Sequence, residues 1–175
     1  MKVILNKEQI AATLNDLTER IAADITPKVD IAVIGIRSRG EILAQRLSTA
    51  LETKNGKPIP SGTLDITLYR DDLNDPHGAE QPTVRSTEIN FDISEKIILL
   101  VDDVLYTGRS VRAAMDALID FGRPKAIRLA VLVDRGGHEL PIQADYSGIK
   151  VNVKNEESVE VNLLETDDID QVIVR

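Results

Sequence analysis

The chain has no cysteine among its 175 residues, which excludes disulfides, zinc–thiolate centres and a cysteine nucleophile. It also lacks any apolar run of bilayer length. The opening MKVILNKEQI offers only a short apolar stretch before charge returns, too little for a signal peptide or membrane anchor, so a soluble, cytoplasmic protein is expected. Positive charge is in short supply: 21 Lys and Arg face 29 Asp and Glu, for a formal net charge of -8. Nucleic-acid binding draws most of its affinity from cations that neutralise phosphates, so this balance argues against a broad nucleic-acid surface, while leaving room for a local basic patch. The acid gathers after Asn155, where Glu156, Glu157, Glu160, Glu165, Asp167, Asp168 and Asp170 stand against Arg175 alone. That tail reads as a solvated acidic surface. No repeat, low-complexity block or linker divides the chain, so a single domain over residues 1–175 is expected, large enough to bury a real core.

What is present is an alternation of two periodicities. Ile10, Leu14, Leu17 and Ile21 recur at helical spacing behind Asn6, a good N-cap, and Pro27 is expected to close that helix. Residues 31–36 (IAVIGI) form a continuous apolar run, as of a strand buried on both faces. A helix is predicted over 40–51, with Ile42, Leu43 and Leu47 on one side and Asn55-Gly56 ending it. Residues 63–69 (TLDITLY) alternate and are rich in β-formers, which predicts a strand. The pattern then collapses over 70–84 (RDDLNDPHGAEQPTV), a length of loop that is usually functional or disordered. A strand over 97–101, a helix over 111–121 with Met115 and Leu118 inward, and a strand over 127–133 follow, then the turn-rich DRGGHELPIQADYSG. Strands alternating with helices predict an α/β fold with a mainly parallel sheet, covered on both faces through right-handed crossovers.

In such sheets ligands sit at the carboxyl ends of the strands. Two strand-to-helix junctions carry chemistry. The first is 97–110, IILLVDDVLYTGRS, in which a buried strand ends in Asp102-Asp103, a short loop follows, and Thr107-Gly108-Arg109-Ser110 opens a helix. Gly108 lets the backbone turn tightly. The amides around Tyr106 to Ser110, the hydroxyls of Thr107 and Ser110 and the helix N-terminus suit a phosphate dianion. Two adjacent carboxylates accept hydrogen bonds from vicinal hydroxyls, directly or through hydrated Mg2+. Hydroxyls at one end and phosphate at the other describe a ribose 5-phosphate. The second junction, residues 34–40 (IGIRSRG), places Arg37, Ser38 and Arg39 at a strand end, where amides and two fork-shaped, permanently charged donors suit a pyrophosphate.

The array at 97–110 resembles the signature of type I phosphoribosyltransferases, which take ribose phosphate from phosphoribosyl pyrophosphate (PRPP). The stretches TLDITLYRDDL, VDDVLYTGRSVRAAMDALID and LAVLVDRGGHELPIQADY further resemble the PyrR family of pyrimidine-operon attenuation regulators that are also uracil phosphoribosyltransferases. The resemblance runs from about Val3 to about Val161. It implies a type I phosphoribosyltransferase fold with a small hood, about residues 134–150, over the base, and a flexible lid loop, about residues 70–88. It implies the reaction of uracil and PRPP to UMP and pyrophosphate with Mg2+, and a homodimer or higher homo-oligomer.

Residue by residue, the resemblance assigns Arg37, Ser38 and Arg39 to the pyrophosphate loop and Arg70 to the same anion from the base of the lid. Asp102 and Asp103 take the ribose hydroxyls and, indirectly, the metal, while Val104, Leu105, Tyr106, Thr107, Gly108, Arg109 and Ser110 form the 5-phosphate loop. Arg135 follows a core strand and faces the base. Asp102, Asp103 and Arg39 are the expected catalytic residues. Asp71, Asp72 and His77 read as solvated loop residues. A purine in place of uracil is one alternative. The other is an RNA-binding regulator whose nucleotide site is a sensor. At the positions matching that family's RNA face this chain has Asn15, Asp16 and Glu19 on the first helix and His138, Gln143 and Ile149 in the hood, so cations are missing and carboxylates added.

Overall fold

The computed structural model describes residues 1–25, 30–72, 83–154 and 156–175. A short strand, β1 (Lys2–Leu5), leads into helix α1 (Lys7–Asp24). Asn6 and Gln9 cap α1 reciprocally, each side chain accepting from the other's backbone N–H. Ile10, Leu17 and Ile21 are buried. Pro27 lies outside the described residues. Strand β2 (Ile31–Ile36) is buried at every position, and α2 (Arg39–Asn55) closes on Gly56 in the left-handed region, φ 64°.

Strand β3 spans Ser61–Leu64, not 63–69. Asp65 ends it: its carboxylate accepts from the Thr67 N–H at 3.0 Å and the Thr67 hydroxyl at 2.6 Å, an Asx turn that bends the chain into a 3-10 turn over Thr67–Tyr69. Strand β4 (Ile97–Leu105) runs further than expected, because β5 (Ala126–Asp134) pairs with it through Leu105. Asp102 and Asp103 therefore lie within the strand and not at its end. Helix α3 (Arg109–Ile119) begins two residues earlier than its apolar spacing suggests.

Of the segment expected as a hood, Tyr146–Lys150 is strand β6, paired parallel with β5 at the edge of the central sheet. The acidic tail is folded: β7 (Val159–Asn162), a short helix α4 (Leu164–Asp167) and β8 (Gln171–Val174). Strand β8 pairs antiparallel with both β7 and β1 in a separate three-stranded sheet.

The central sheet has the order β3-β2-β4-β5-β6, all parallel. Alternate residues of its strands feed two cores, which explains the unbroken apolar runs. Val33, Leu99 and Leu132 face α1, α2 and the small sheet, while Ile34, Leu100 and Val131 face α3. Among the described residues no helix is long and apolar enough to cross a membrane.

Candidate active site

The strand order places a topological switch between β2 and β4. From β2 the chain goes outward to β3, then returns to β4 on the opposite side of β2. The loops leaving β2 and β4 therefore part in opposite directions and open a crevice at the carboxyl ends of both. Gly40 brings its two walls together. A Cβ there would lie 2.6 Å from the Val101 carbonyl oxygen and 3.1 Å from the Asp102 Cα, so only glycine lets the start of α2 seat against β4. The result is a cleft of about 280 Å³, open to solvent and lined mainly by polar groups.

The two sequence junctions meet in this cleft. Arg37, Ser38, Arg39, Arg70, Asp102, Asp103, Val104 and Ser110 all line it. Asp65, Ile66 and Thr67 line it too and were hidden in the sequence within what reads as a strand. Asp65 also accepts from the Arg85 N–H at 2.6 Å, so one carboxylate ties both stems of the segment between β3 and β4. Burial pushes its carboxyl up, but the hydrogen bonds from Thr67 and Arg85 prevail and hold it below the usual range.

Asp102 is buried, with its Oδ1 accepting from the Asp103 N–H at 2.9 Å; Asp103 in turn accepts from the Val104 N–H at 2.9 Å. Burial, reinforced by the neighbouring Asp103 carboxylate, raises the Asp102 pKa well above the ordinary range. Asp103 is also raised by burial, against the opposing pull of the Asp102 side chain and the positive Arg39. Two carboxylates held this close invite hydroxyl donors or a cation.

The arginines are already engaged. Arg37 contacts Glu88 at 3.0 Å through Nη2 and Glu41 at 3.4 Å through Nη1. Arg39 pairs with Asp167, and Arg70 with Asp72, each through two donors. Asp71 reaches Arg109 at 2.6 Å, so Asp71 and Asp72 are ion-paired residues and not merely solvated ones. His77 lies outside the described residues, as does the lid from 73 to 82.

The loop 106–110 has the form of an anion cradle. Gly108 takes φ 89°, open to glycine at little cost, and Thr107 Oγ1 accepts from the Arg109 N–H at 3.2 Å. Among the described residues the N–H groups of Thr107, Gly108 and Ser110 donate to no protein acceptor. Arg109 points elsewhere, to Asp71 and Glu139. Arg135 does not line the cleft either: its guanidinium carbon sits 3.7 Å above the Tyr106 ring, and its N–H donates to the Leu105 carbonyl. The two loops are further joined by Thr107, whose carbonyl accepts from Glu139 and Leu140.

On α1, Asp16 and Glu19 occupy the nearby cations: Asp16 pairs with Arg20 at 3.0 Å and Glu19 with Lys54 at 2.6 Å. His138 is held by Asp134 at 2.9 Å, and Ile149 packs against the larger core.

A model of the phosphoribosyl transferase domain matches residues 1–166. The bifunctional protein PyrR of Pelotomaculum thermopropionicum is 49% identical over 171 residues, covering 98% of this chain and 93% of that one. That of Deinococcus radiodurans is 49% identical over 169 residues, covering 97% and 91%. That of Bacillus cereus is 48% identical over 172 residues, covering 98% and 96%. Among solved structures, the hypoxanthine phosphoribosyltransferase of Trypanosoma cruzi superposes with a TM-score of 0.72 at 17% identity, covering 99% of this chain and 95% of that one, a likeness of fold. A domain match along most of the chain and relatives alike over nearly its whole length, on a sheet whose crevice opens at the switch point, lead to one conclusion: the chain belongs to the phosphoribosyltransferases and, among them, to the PyrR family.

Proposed function

We propose that this chain transfers the phosphoribosyl group of PRPP to N1 of uracil, giving UMP and pyrophosphate. The observation that carries the proposal is the convergence of both junctions on one cleft, with the buried Asp102 and half-buried Asp103 between a guanidinium-rich loop and an anion cradle. The C1–O bond to pyrophosphate loosens, positive charge builds on the ribose, N1 of uracil forms the new bond and its proton is released. Thr107, Gly108 and Ser110 anchor the 5-phosphate. Asp102 and Asp103 accept the ribose hydroxyls and face the developing cation. Arg39, with Arg37 and Arg70, takes the departing pyrophosphate. Positioning and preorganised charge carry the rate, and no covalent nucleophile is required.

Among the described residues no cluster of three or more His, Asp or Glu could cage a metal. Two hard carboxylates alone suit a Mg2+ ion that arrives with PRPP and keeps substrate and water oxygens in most of its shell, and Asp102 and Asp103 are the residues that would hold it. When bound, the ion offsets the charge of the leaving pyrophosphate.

Pyrophosphate release from PRPP, measured with uracil, hypoxanthine, guanine and adenine, tests the reading. Release with uracil, abolished or strongly reduced in Asp103→Asn and Arg39→Ala, is expected. A purine preference would overturn the base assignment, and no release with any base would overturn the enzymatic reading. The second activity implied by the family resemblance, RNA attenuation, is disfavoured by the carboxylates of α1, Asp16 and Glu19, which pair with Arg20 and with Lys54 of α2. Filter binding with a pyrimidine-operon leader RNA at physiological salt is expected to show only weak binding; tight binding would reverse that judgement.

A further inference from the structure

The folded acidic tail meets the cleft through one side chain. Arg39, one of the residues that line the cleft, donates from Nη2 to Asp167 Oδ1 at 2.8 Å and from Nε to Asp167 Oδ2 at 3.3 Å. Asp167 itself does not line the cleft. Its carboxylate is fixed in turn: Oδ2 accepts from the Leu163 N–H at 2.9 Å and from the Thr166 hydroxyl at 2.9 Å. The turn that carries it is fastened to α2 a second time, where Arg46 binds Glu165 and Asp170 through two hydrogen bonds each.

This pairing uses one edge of the Arg39 fork. Both N–H groups of Nη1 and one of Nη2 remain without an acceptor among the described residues. Arg37 differs. Glu41 and Glu88 take Nη1 and Nη2, and Nε is buried without a partner, so its guanidinium is held by the scaffold on both sides.

We infer that Asp167 is a positioning residue of the pyrophosphate site, holding Arg39 in the orientation that leaves its open edge for an anion. The inference rests on the phosphoribosyltransferase reading above. An opposing effect exists, since a carboxylate near an anion site also repels the anion. Placement decides between them: Arg39 lines the cleft while paired, so no swing is needed, and its own positive charge separates Asp167 from the cleft.

The test measures PRPP binding by calorimetry and the KM and kcat values for wild type, Asp167→Asn and Asp167→Glu, with binding repeated in an Arg39→Ala background. Asn keeps the shape and loses the charge; Glu keeps the charge and displaces it. Each is expected to weaken PRPP binding by about three- to tenfold and raise the KM for PRPP alike, with little change in the KM for uracil, and neither is expected to alter PRPP binding once Arg39 is alanine. Unchanged or tighter binding by Asp167→Asn would overturn the inference, as would an equal loss in the Arg39→Ala background, which marks general damage to the fold. Wild-type protein that does not bind PRPP would instead overturn the functional reading beneath it.

Discussion

Replacing Gly40 by alanine sets two effects of opposite sign against each other. In an exposed helix the change stabilises by about 1 kcal/mol, because glycine is the poorer helix former. Gly40 opens α2, but it is buried against β4. The added Cβ would lie 2.6 Å from the Val101 carbonyl oxygen and 3.3 Å from Asp102 Oδ1. Cβ contacts essentially never fall below 3.0 Å, so the two backbones must part by about 0.4 Å. Neither yields easily, since Val101 is hydrogen-bonded into the middle of the sheet between Gly35 and Ala130. Overpacking of this kind costs about 1 to 3 kcal/mol, so sterics match or outweigh helix propensity and a net loss of up to about 2 kcal/mol follows. For a chain of this size each 1 kcal/mol lost lowers Tm by roughly 2–4 °C.

The larger consequence is catalytic. The displacement falls between Arg39 and Asp102, which belong to the two halves of the cleft, and misplacement on this scale costs up to about a hundredfold. The kcat/KM for PRPP is expected to drop by roughly ten- to a hundredfold. Gly56→Ala is the matched control. Gly56 caps α2 at φ 64° with nothing within 4 Å of a new Cβ, so alanine there is strained by about 1 kcal/mol but far from the cleft. Its kcat/KM should stay at the wild-type value while its Tm falls comparably. Wild-type kcat/KM in Gly40→Ala, or an equal loss in Gly56→Ala, would refute the reasoning.

Arg46→Ala leaves Glu165 and the nearly buried Asp170 without their partner, and chemical denaturation should show a loss of about 1 to 2 kcal/mol. Because Glu165 and Asp170 have lowered pKa values in the fold, that difference is fully present above the ordinary carboxylate range and shrinks as pH falls through it. Tyr146, buried and donating to Asp24 at 2.8 Å, has its phenol pushed up to about 12; ultraviolet titration should show a late tyrosine that Tyr146→Phe removes, beside Tyr69, whose hydrogen bond to Asp120 also raises it. Its proton is held more tightly in the fold, so the stability it contributes is lost as pH rises from 10 through 12. Asp102→Asn removes a buried charge facing another, so in chelator the variant should be more stable than wild type by about 1 to 2 kcal/mol at alkaline pH. That gain should shrink as pH falls through the raised value and vanish below the ordinary carboxylate range, where the wild-type side chain is neutral in both states.

The central sheet was legible because burial on both faces writes itself into composition. IAVIGI and IILLV need apolar residues at every position, and no solvated strand or turn tolerates that. The ends of elements were less legible. In TLDITLY, Thr67 and Tyr69 have the composition of a strand, yet local hydrogen bonds from Thr67 to the Asp65 carboxylate override it. The chemistry of residues 37–39 and 102–110 was legible as types at strand ends, because each junction is contiguous in sequence. What sequence did not reveal lies across long separations. Glu88 on Arg37 and Asp167 on Arg39 link residues 51 and 128 apart, and nothing local marks either carboxylate. The acidic tail carries its carboxylates on the surface, as expected, but its fold was hidden for the same reason. Its alternating Val159, Val161, Val172 and Val174 were outnumbered by carboxylates whose arginine partners sit on a distant helix.

The same net charge of -8 bears differently on the two ligands the family brings into question. A leader RNA is an extended polyanion, so it samples a broad face and gains affinity with each cation it meets. On α1 the exposed carboxylates outnumber the cations, and Arg20 is tied to Asp16 and the Ser147 carbonyl while Lys54 is tied to Glu19. PRPP is small and enters a cleft, where charge beyond about 8 Å is largely screened at physiological ionic strength. In the proposed site its phosphates face Arg39, Arg37, Arg70 and the N-terminus of α3, while Asp102 and Asp103 face its ribose. Most of the acid in this chain is either screened from that cleft or, as at Asp167, placed behind a guanidinium. On the proposed function, then, an acidic protein holds a polyanionic substrate and is expected to bind a polyanionic chain only weakly, because the first responds to the charge of a few residues and the second to the charge of a surface.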